Sequence, residues 1–223
     1  MSTTTKPPGP SARSTVKRLP ERASYDSDVV HAILDEGYVC HIGVVIDGSP
    51  VVIPSLYARD GDSVLIHGSP ASRTLRTAGA DGVEICLTVT LVDGFVIARS
   101  GFHHSMNYRS VVIFGNAAPI TDDDERARAL DHLVDTLVPG QAAAVRPMTR
   151  NEMKGTTVLR LPITEASAKV RTGGPVDDAA DYDLPIWAGV LPVTTTYGPA
   201  IPDAELRHDL PVPDNIANYR RNR

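Results

Sequence analysis

Two acid-free stretches of this chain combine histidine, arginine and serine, although the chain as a whole carries a net charge of −5. The first, residues 63–80, includes His67-Gly68-Ser69-Pro70-Ala71-Ser72-Arg73. A strand end, a glycine turn, two hydroxyls and an arginine opening a helix suit a phosphate monoester. Helix-terminal N–H groups, hydroxyls and a guanidinium all donate to phosphate oxygens. The same residues fit an ordinary β-to-α connection with a serine cap and a solvated arginine, and spacing alone leaves both open. The second stretch, residues 94–121, holds Arg99, His103, His104, Asn107, Tyr108, Arg109 and Ser110. Arg109 and the histidines suit an anion or the electron-rich edge of a cofactor. A polar loop entering a strand fits as well. His41, His67, His103 and His104 are able to ligate a metal or haem. No helical i,i+4 pair of histidines supports this, and adjacent histidines on a strand point to opposite faces, so no metal site is expected. Cys40 and Cys86 lie in apolar runs and read as buried, inert thiols. Trp187 reads as an anchor for the segment around it, or as a face for a planar ligand.

Absent motifs exclude other chemistries. There is no GxGxxG, Walker A, GxSxG, HExxH or CxxC, which argues against a Rossmann dehydrogenase, a P-loop enzyme and an α/β-hydrolase.

The elements that would position these residues are mostly strands. Asp26 caps a predicted helix with Val29, Val30, Ile33 and Leu34 on one face, closed by Gly37. Residues 38–46 and 51–57 flank Asp47-Gly48, a hairpin signal. A third strand covers 63–67 after Asp60-Gly61-Asp62, and 70–78 reads as a short helix. Residues 83–92 and 95–100 flank Asp93-Gly94, which predicts a second hairpin, followed by a strand over 108–117. Thr121 and four acids open a helix with Ala127, Leu130, Leu133, Val134 and Leu137 as its stripe. Thr149 and Glu152 form a capping box. One long final strand is predicted over 156–169. Strands joined by hairpins, with few helices between, argue for a mainly β, α+β chain folded as a closed antiparallel barrel.

The domain reading is a disordered basic leader over 1–22, a barrel domain over 23–171, and an extended Pro-rich arm over 172–223 packing on the barrel or a partner. Residues 1–22 carry +4 and residues 215–223 carry +3, leaving −12 on the body. So acidic a body repels nucleic acid, so no nucleic-acid partner is expected. Aromatics are 5% of residues, so a core must be mostly aliphatic. No apolar run suits a membrane span, and the start has no apolar stretch of a secretory signal. Two cysteines exclude a disulfide scaffold, and a cytoplasmic location with reduced thiols is expected.

Several segments in order resemble the pyridoxamine 5′-phosphate oxidase-related family of FMN-binding split barrels. They are Val52-Ile53-Pro54-Ser55-Leu56-Tyr57, Ile66-His67-Gly68-Ser69 with Ser72-Arg73, and Leu87 to Gly94. Phe102-His103-His104-Ser105-Met106-Asn107-Tyr108-Arg109-Ser110 is the most specific; Ala168-Lys169-Val170-Arg171 and Trp187-Ala188-Gly189 follow. The likeness covers about residues 17–195 and is nearest the flavin-nucleotide-binding, nitroimidazole-resistance-related branch. The resemblance implies an antiparallel split β-barrel and a homodimer with FMN sites at the interface. It implies that Ser72 and Arg73 hold the FMN phosphate, with His67, Gly68 and Ser69 along the ribityl path. Ile53, Pro54 and Ser55 would edge the ring through their backbone. Tyr108, Arg109 and Ser110 would approach from the second subunit or the barrel rim, with Lys154 and Trp187 closing the pocket. Arg109 would be the catalytic cation near the flavin N1/O2 edge. The implied chemistry is the flavin's hydride transfer at N5 with a small organic substrate, with NAD(P)H or oxygen as the other partner. Alternatives are a deazaflavin or haem in place of FMN, or a flavin- or haem-binding protein without turnover. The branch's expected Arg-Trp pair after Pro139-Gly140 is replaced by Gln141-Ala142.

Overall fold

The computed structural model describes residues 10–72, 78–79 and 81–220. Its strands are β1 (Ala23–Ser24), β2 (Val39–Ile46), β3 (Ser49–Asp60), β4 (Ser63–Gly68), β5 (Val83–Ile97), β6 (Ser105–Pro119), β7 (Thr157–Pro162), β8 (Ala166–Arg171) and β9 (Gly189–Pro192). Its α-helices are α1 (Ser27–Glu36), α2 (Asp123–Leu137), α3 (Gln141–Ala144), α4 (Arg150–Lys154) and α5 (Asp214–Ala217). All pairings are antiparallel, in the order β1-β8-β6-β7-β4-β3-β2-β5-β9, and β5 also pairs with β6. That extra pairing closes β6-β7-β4-β3-β2-β5 into a barrel, so its strands have no open edge across the closure. This is the mainly β, closed antiparallel barrel expected from the strand pattern, in the split form that the family resemblance implies.

The split comes from strands that change partners. β3 pairs with β2 over Ser49–Leu56 and with β4 over Tyr57–Asp60. Alternation fills the interior: Cys40, Ile42, Val44 and Ile46 of β2 are buried, while Val39 and Val45 face outward. α1 starts at Asp26, whose side chain accepts from the Asp28 N–H at 2.8 Å, and it plugs the barrel with Val30, Ile33 and Leu34. α2, capped by Asp122, seals a second cluster with Leu130 and Leu133 against Ala58, Leu65 and Val158.

Gly37 ends α1 at φ −74°, so its role is not a left-handed turn. A Cβ there would stand 2.6 Å from the Tyr57 hydroxyl and 2.7 Å from Val89 Cγ1. That hydroxyl is fixed in the core by donating to the Leu34 carbonyl at 2.6 Å. Gly37→Ala is therefore expected to cost about 1–3 kcal/mol, the range for overpacking a dense core. A denaturant titration reads it, and an unchanged midpoint would contradict the packing described.

Three expectations need correction. Asp93-Gly94 does not turn a hairpin. β5 runs unbroken through it, and the register against β6 shifts between Val92 and Gly94 as a bulge. Gly94 is needed because β9 passes so close that a Cβ would meet the Leu191 carbonyl at 3.0 Å. Second, the strand expected over 156–169 is two strands. Residues 163–165 turn a corner, with the Ile163 N–H on the Asp62 carbonyl at 2.8 Å and the Phe114 N–H on the Glu165 carbonyl at 2.9 Å. That corner carries the chain from β4's side of the barrel to β6's side.

Third, residues 10–22 are not a free leader. Ser14 is 2% exposed, and Arg13 pairs with Glu84 and Glu165 at 2.6 Å each and stacks over Phe114 at 5.0 Å. Arg13 and then Ser11 hold the Glu165 carboxyl down at about 2, from an ordinary 4.5. A depressed carboxylate stabilises the docked leader above its unfolded value and loses that contribution as it protonates. Amide protection at Ser14 and Thr15 is expected to fall between about pH 4.5 and 2 and to hold above that window. The short helix expected over 70–78 lies mostly outside the described residues.

The arm beyond β8 is tied at several points. Asp177 accepts from the Arg99 backbone and guanidinium at 3.0 Å each, and β9 pairs with Gly94–Ile97 of β5. The Tyr38 hydroxyl bonds those of Tyr197 and Tyr219. No described helix is long and apolar enough to cross a membrane.

Candidate functional site

The residues of the first acid-free stretch meet those of β3 where β3 and β4 part. Their pairing ends at Tyr57 with Ile66. Beyond it, Ile53, Pro54 and Ser55 stay with Ile42, His41 and Cys40 of β2, while His67 and Gly68 stay with Val158 and Thr157 of β7. The two strands thus part, and their facing backbone edges are not paired with each other; the gap between them is termed the cleft. Backbone amides and carbonyls on such edges can hydrogen-bond a flat ligand edge. Proline at 54 gives up its N–H, and the Ser55 hydroxyl donates to the Leu56 carbonyl at 2.9 Å.

At the mouth of this cleft the chain turns tightly. The Ser69 hydroxyl accepts from the Ala71 N–H at 3.2 Å, and the Ser69 carbonyl accepts from the Ser72 N–H at 2.9 Å. Arg73, the expected phosphate partner, lies outside the described residues. Lys154 ends α4, three residues before Thr157, which pairs with Gly68. It is exposed and has no ion-pair partner among the described residues, so a cation stands near the mouth.

His67 is the one group here with an open demand. Its Nδ1 is buried and has no hydrogen-bond partner among the described residues. Burial pushes its pKa down, so the ring is neutral at physiological pH. A buried polar atom without a partner costs free energy, and a bound hydroxyl or amide would meet that cost. This is how the residues present fit the ribityl-phosphate end of a flavin.

Arg109 does not fit the role expected of it. It lies on β6 beside Asp93 of the bulge and Glu36 of α1. Its Nε and Nη2 donate to Asp93 at 3.0 and 2.6 Å, and Nη1 and Nη2 both donate to Glu36. Both carboxylates raise its pKa. Two bidentate acids neutralise it, so it is no spare cation for a reduced ring. It ties β6 to the bulge and to the end of α1.

Tyr108 and Ser110 face outward on the same side of the sheet as Thr90, Thr88, His41 and Pro54, which the registers place opposite one another in turn. Three strand spacings separate β6 from β3, roughly 14 Å, so one chain does not bring Ser110 to the cleft. Trp187 is 69% exposed beside β9, which pairs with Gly94–Ile97 on the same edge of β5 that β2 takes at Cys86–Thr88. Cys40 is buried with its thiol pushed up to about 12, and burial raises Cys86 as well, so neither offers a thiolate.

Sequence reasoning missed Glu36 and Asp93 as the partners of Arg109, because Asp93 looked like a turn residue. It also missed Arg171, 7% exposed, which donates to Asn107 and to the Gly173 and Gly174 carbonyls. Two other clefts lie away from this site. One of 610 Å³ is lined by Asp35, Arg59, His132 and Tyr219, and one of 580 Å³ by Arg22, Val29, Ile33 and Val170.

A family model described as pyridoxamine 5′-phosphate oxidase matches residues 26–170. The chain belongs to the pyridoxamine 5′-phosphate oxidase-related family. This split barrel is also similar to the flavocytochrome Anf3 from Azotobacter vinelandii, at 42% identity and TM-score 0.91 over 97% of this chain and 100% of that one. It is similar as well to the FAD and haem binding protein from Mycobacterium smegmatis, at 36% identity and TM-score 0.84 over 88% and 96% of the two chains. A candidate 5-nitroimidazole antibiotic resistance protein from Bacteroides thetaiotaomicron shares the fold, at 19% identity and TM-score 0.56 over 66% and 86%. No curated protein matches the chain. The match to the flavocytochrome extends through the arm, beyond the part that the family model covers.

Proposed function

We propose that this split barrel is a flavin-dependent redox protein that carries haem as a second redox group. The observation that carries the reading is the 42% identity to a flavocytochrome over 97% of the chain. His67 Nδ1, buried at the parting of β3 and β4 with no partner among the described residues, supports the flavin's place.

In this reading the flavin, mononucleotide or dinucleotide, lies along the β3/β4 cleft. Ile53, Pro54 and Ser55 edge its ring through backbone groups. His67, Gly68 and Ser69 line the ribityl path. Ser72, Arg73 and Lys154 take the phosphate, since hydroxyls and cations donate to it at low cost in reorganisation. When bound, the flavin supplies hydride or single-electron chemistry at its N5 edge. The chain's own part is to hold that edge and shield it from water. Among the described residues assigned to this cleft there is no carboxylate, and protons exchange with solvent.

The reading includes a homodimer. Val39, Val45 and Val52 on the outer sheet face are 49%, 65% and 65% exposed, an apolar surface suited to a second copy. Tyr108 and Ser110 of that copy would then approach the cleft. A small organic molecule or oxygen takes the electrons, and NAD(P)H is a candidate donor. The two unbridged cysteines suit the reducing cytoplasm.

The test is the visible spectrum of the purified protein, before and after incubation with FMN or FAD and hemin, then desalting. Flavin bands together with a Soret band support the reading. Flavin bands alone remove the haem component and leave the second reading, an FMN-dependent oxidoreductase of the family's usual kind. Retention of neither overturns both.

A further inference from the structure

Among the described residues no three His, Cys, Asp or Glu side chains come together, so none forms a pocket for a bare metal ion. A metal held in its own macrocycle asks less of the protein: an axial imidazole and an apolar bed. His41 meets the first condition. It stands mid-strand on β2, exposed, with no hydrogen-bond or ion-pair partner among the described residues. Its surroundings meet the second. Its cross-strand neighbours are Pro54 and Thr88, and Val39, Val45 and Val52 share its face.

The other histidines are worse placed. His31 and His103 sit against Asp62 and Asp178 at 3.3 and 3.4 Å. His104 and His132 bond the carbonyls of Ser100 and Arg59 at 2.9 and 2.7 Å. His208 lies in the arm with no sheet around it. His67 belongs to the cleft, where its ring is half-buried beside the flavin's place and away from the open face of β2.

We propose that His41 is an axial ligand of the haem iron, with the porphyrin lying over the outer face of β2 and β3. The inference rests on the reading that haem accompanies the flavin. A neutral imidazole nitrogen donates its lone pair to the iron, and no electron changes hands in that step. Pro54 is directly opposite His41 and also edges the flavin cleft, so this ligand would set the two redox groups side by side. A second copy pairing through the same face would cover the porphyrin and exclude water.

The full chain, stripped of cofactors, would be titrated with hemin as wild type, His41→Ala, His41→Gly and His67→Ala. Flavin retention and melting temperature would be recorded for each. The expected result is loss of the histidine-ligated bands in His41→Ala, with at least about tenfold weaker hemin binding. Even losing an outer partner of a metal ligand costs that much. Flavin retention stays unchanged, and free imidazole restores the bands in His41→Gly. Wild-type bands and affinity in His41→Ala would overturn the inference, and loss in His67→Ala instead would move the iron to the cleft. A wild type that retains flavin and binds no hemin would overturn the haem reading together with this inference, leaving the flavin site standing.

Discussion

Arg109→Ala is expected to destabilise the protein by about 2–4 kcal/mol while leaving flavin affinity within about threefold. The energetic figure lies between the small worth of exposed ion pairs and the 3–5 kcal/mol cost of breaking buried ones. The placement is intermediate because the Arg109, Glu36 and Asp93 side chains are 29%, 23% and 31% exposed. Removing the guanidinium leaves two carboxylates facing each other with no cation between them. It also frees the end of α1 from the β5 bulge, so the plug of Val30, Ile33 and Leu34 loosens with it. Arg109→Lys should recover only part of the loss, because one ammonium cannot serve two bidentate acids. Denaturant unfolding of the two variants, beside Glu36→Gln, measures this. Unchanged stability with a shifted flavin reduction potential would return Arg109 to the cofactor.

His67→Ala is expected to behave in the opposite way. Its Nδ1 is buried and has no partner among the described residues, so removing the ring relieves an unmet polar demand while opening a small cavity. These effects offset, and the apo protein should change by less than about 1 kcal/mol. Flavin affinity should fall roughly 10- to 100-fold, the equivalent of one or two good hydrogen bonds. Fluorescence quenching of FMN or FAD gives the affinity, and thermal melting of the apo chain gives the stability. A large stability loss with unchanged flavin binding would make His67 a structural residue only.

The opposite signatures of these two positions show what the sequence could and could not say. The barrel was legible because β2 alternates and Asp47-Gly48 turns it back on β3. The helix caps expected at Asp26 and Thr149 are local chemistry, and both form; the helix expected from Thr121 and its four acids forms too, with Asp122 as its cap. Residues 67–69 read as an acid-free turn suited to a phosphate, whereas 53–55 were legible only through family resemblance. Their meeting depends on β3 changing partners at Leu56, which no local pattern reports. Asp93-Gly94 misled because a turn pair and a bulge share the same residues, and the decision is made by β9, about a hundred residues later. Arg109 misled because its acids come from distant segments, so an acid-free window in sequence became an acid-filled site in space. Arg13 was hidden for the same reason: its partners, Glu84 and Glu165, lie far along the chain.

The central claim is that a flavin occupies the cleft where β3 and β4 part. Hydrogen exchange of the full chain with and without saturating flavin tests it most directly. The expected result is added protection over residues 53–55 and 67–72, with little change over 21–33, which line the separate apolar cleft beside α1. Protection confined to 21–33, with 53–55 and 67–72 exchanging as in the free chain, would contradict the placement.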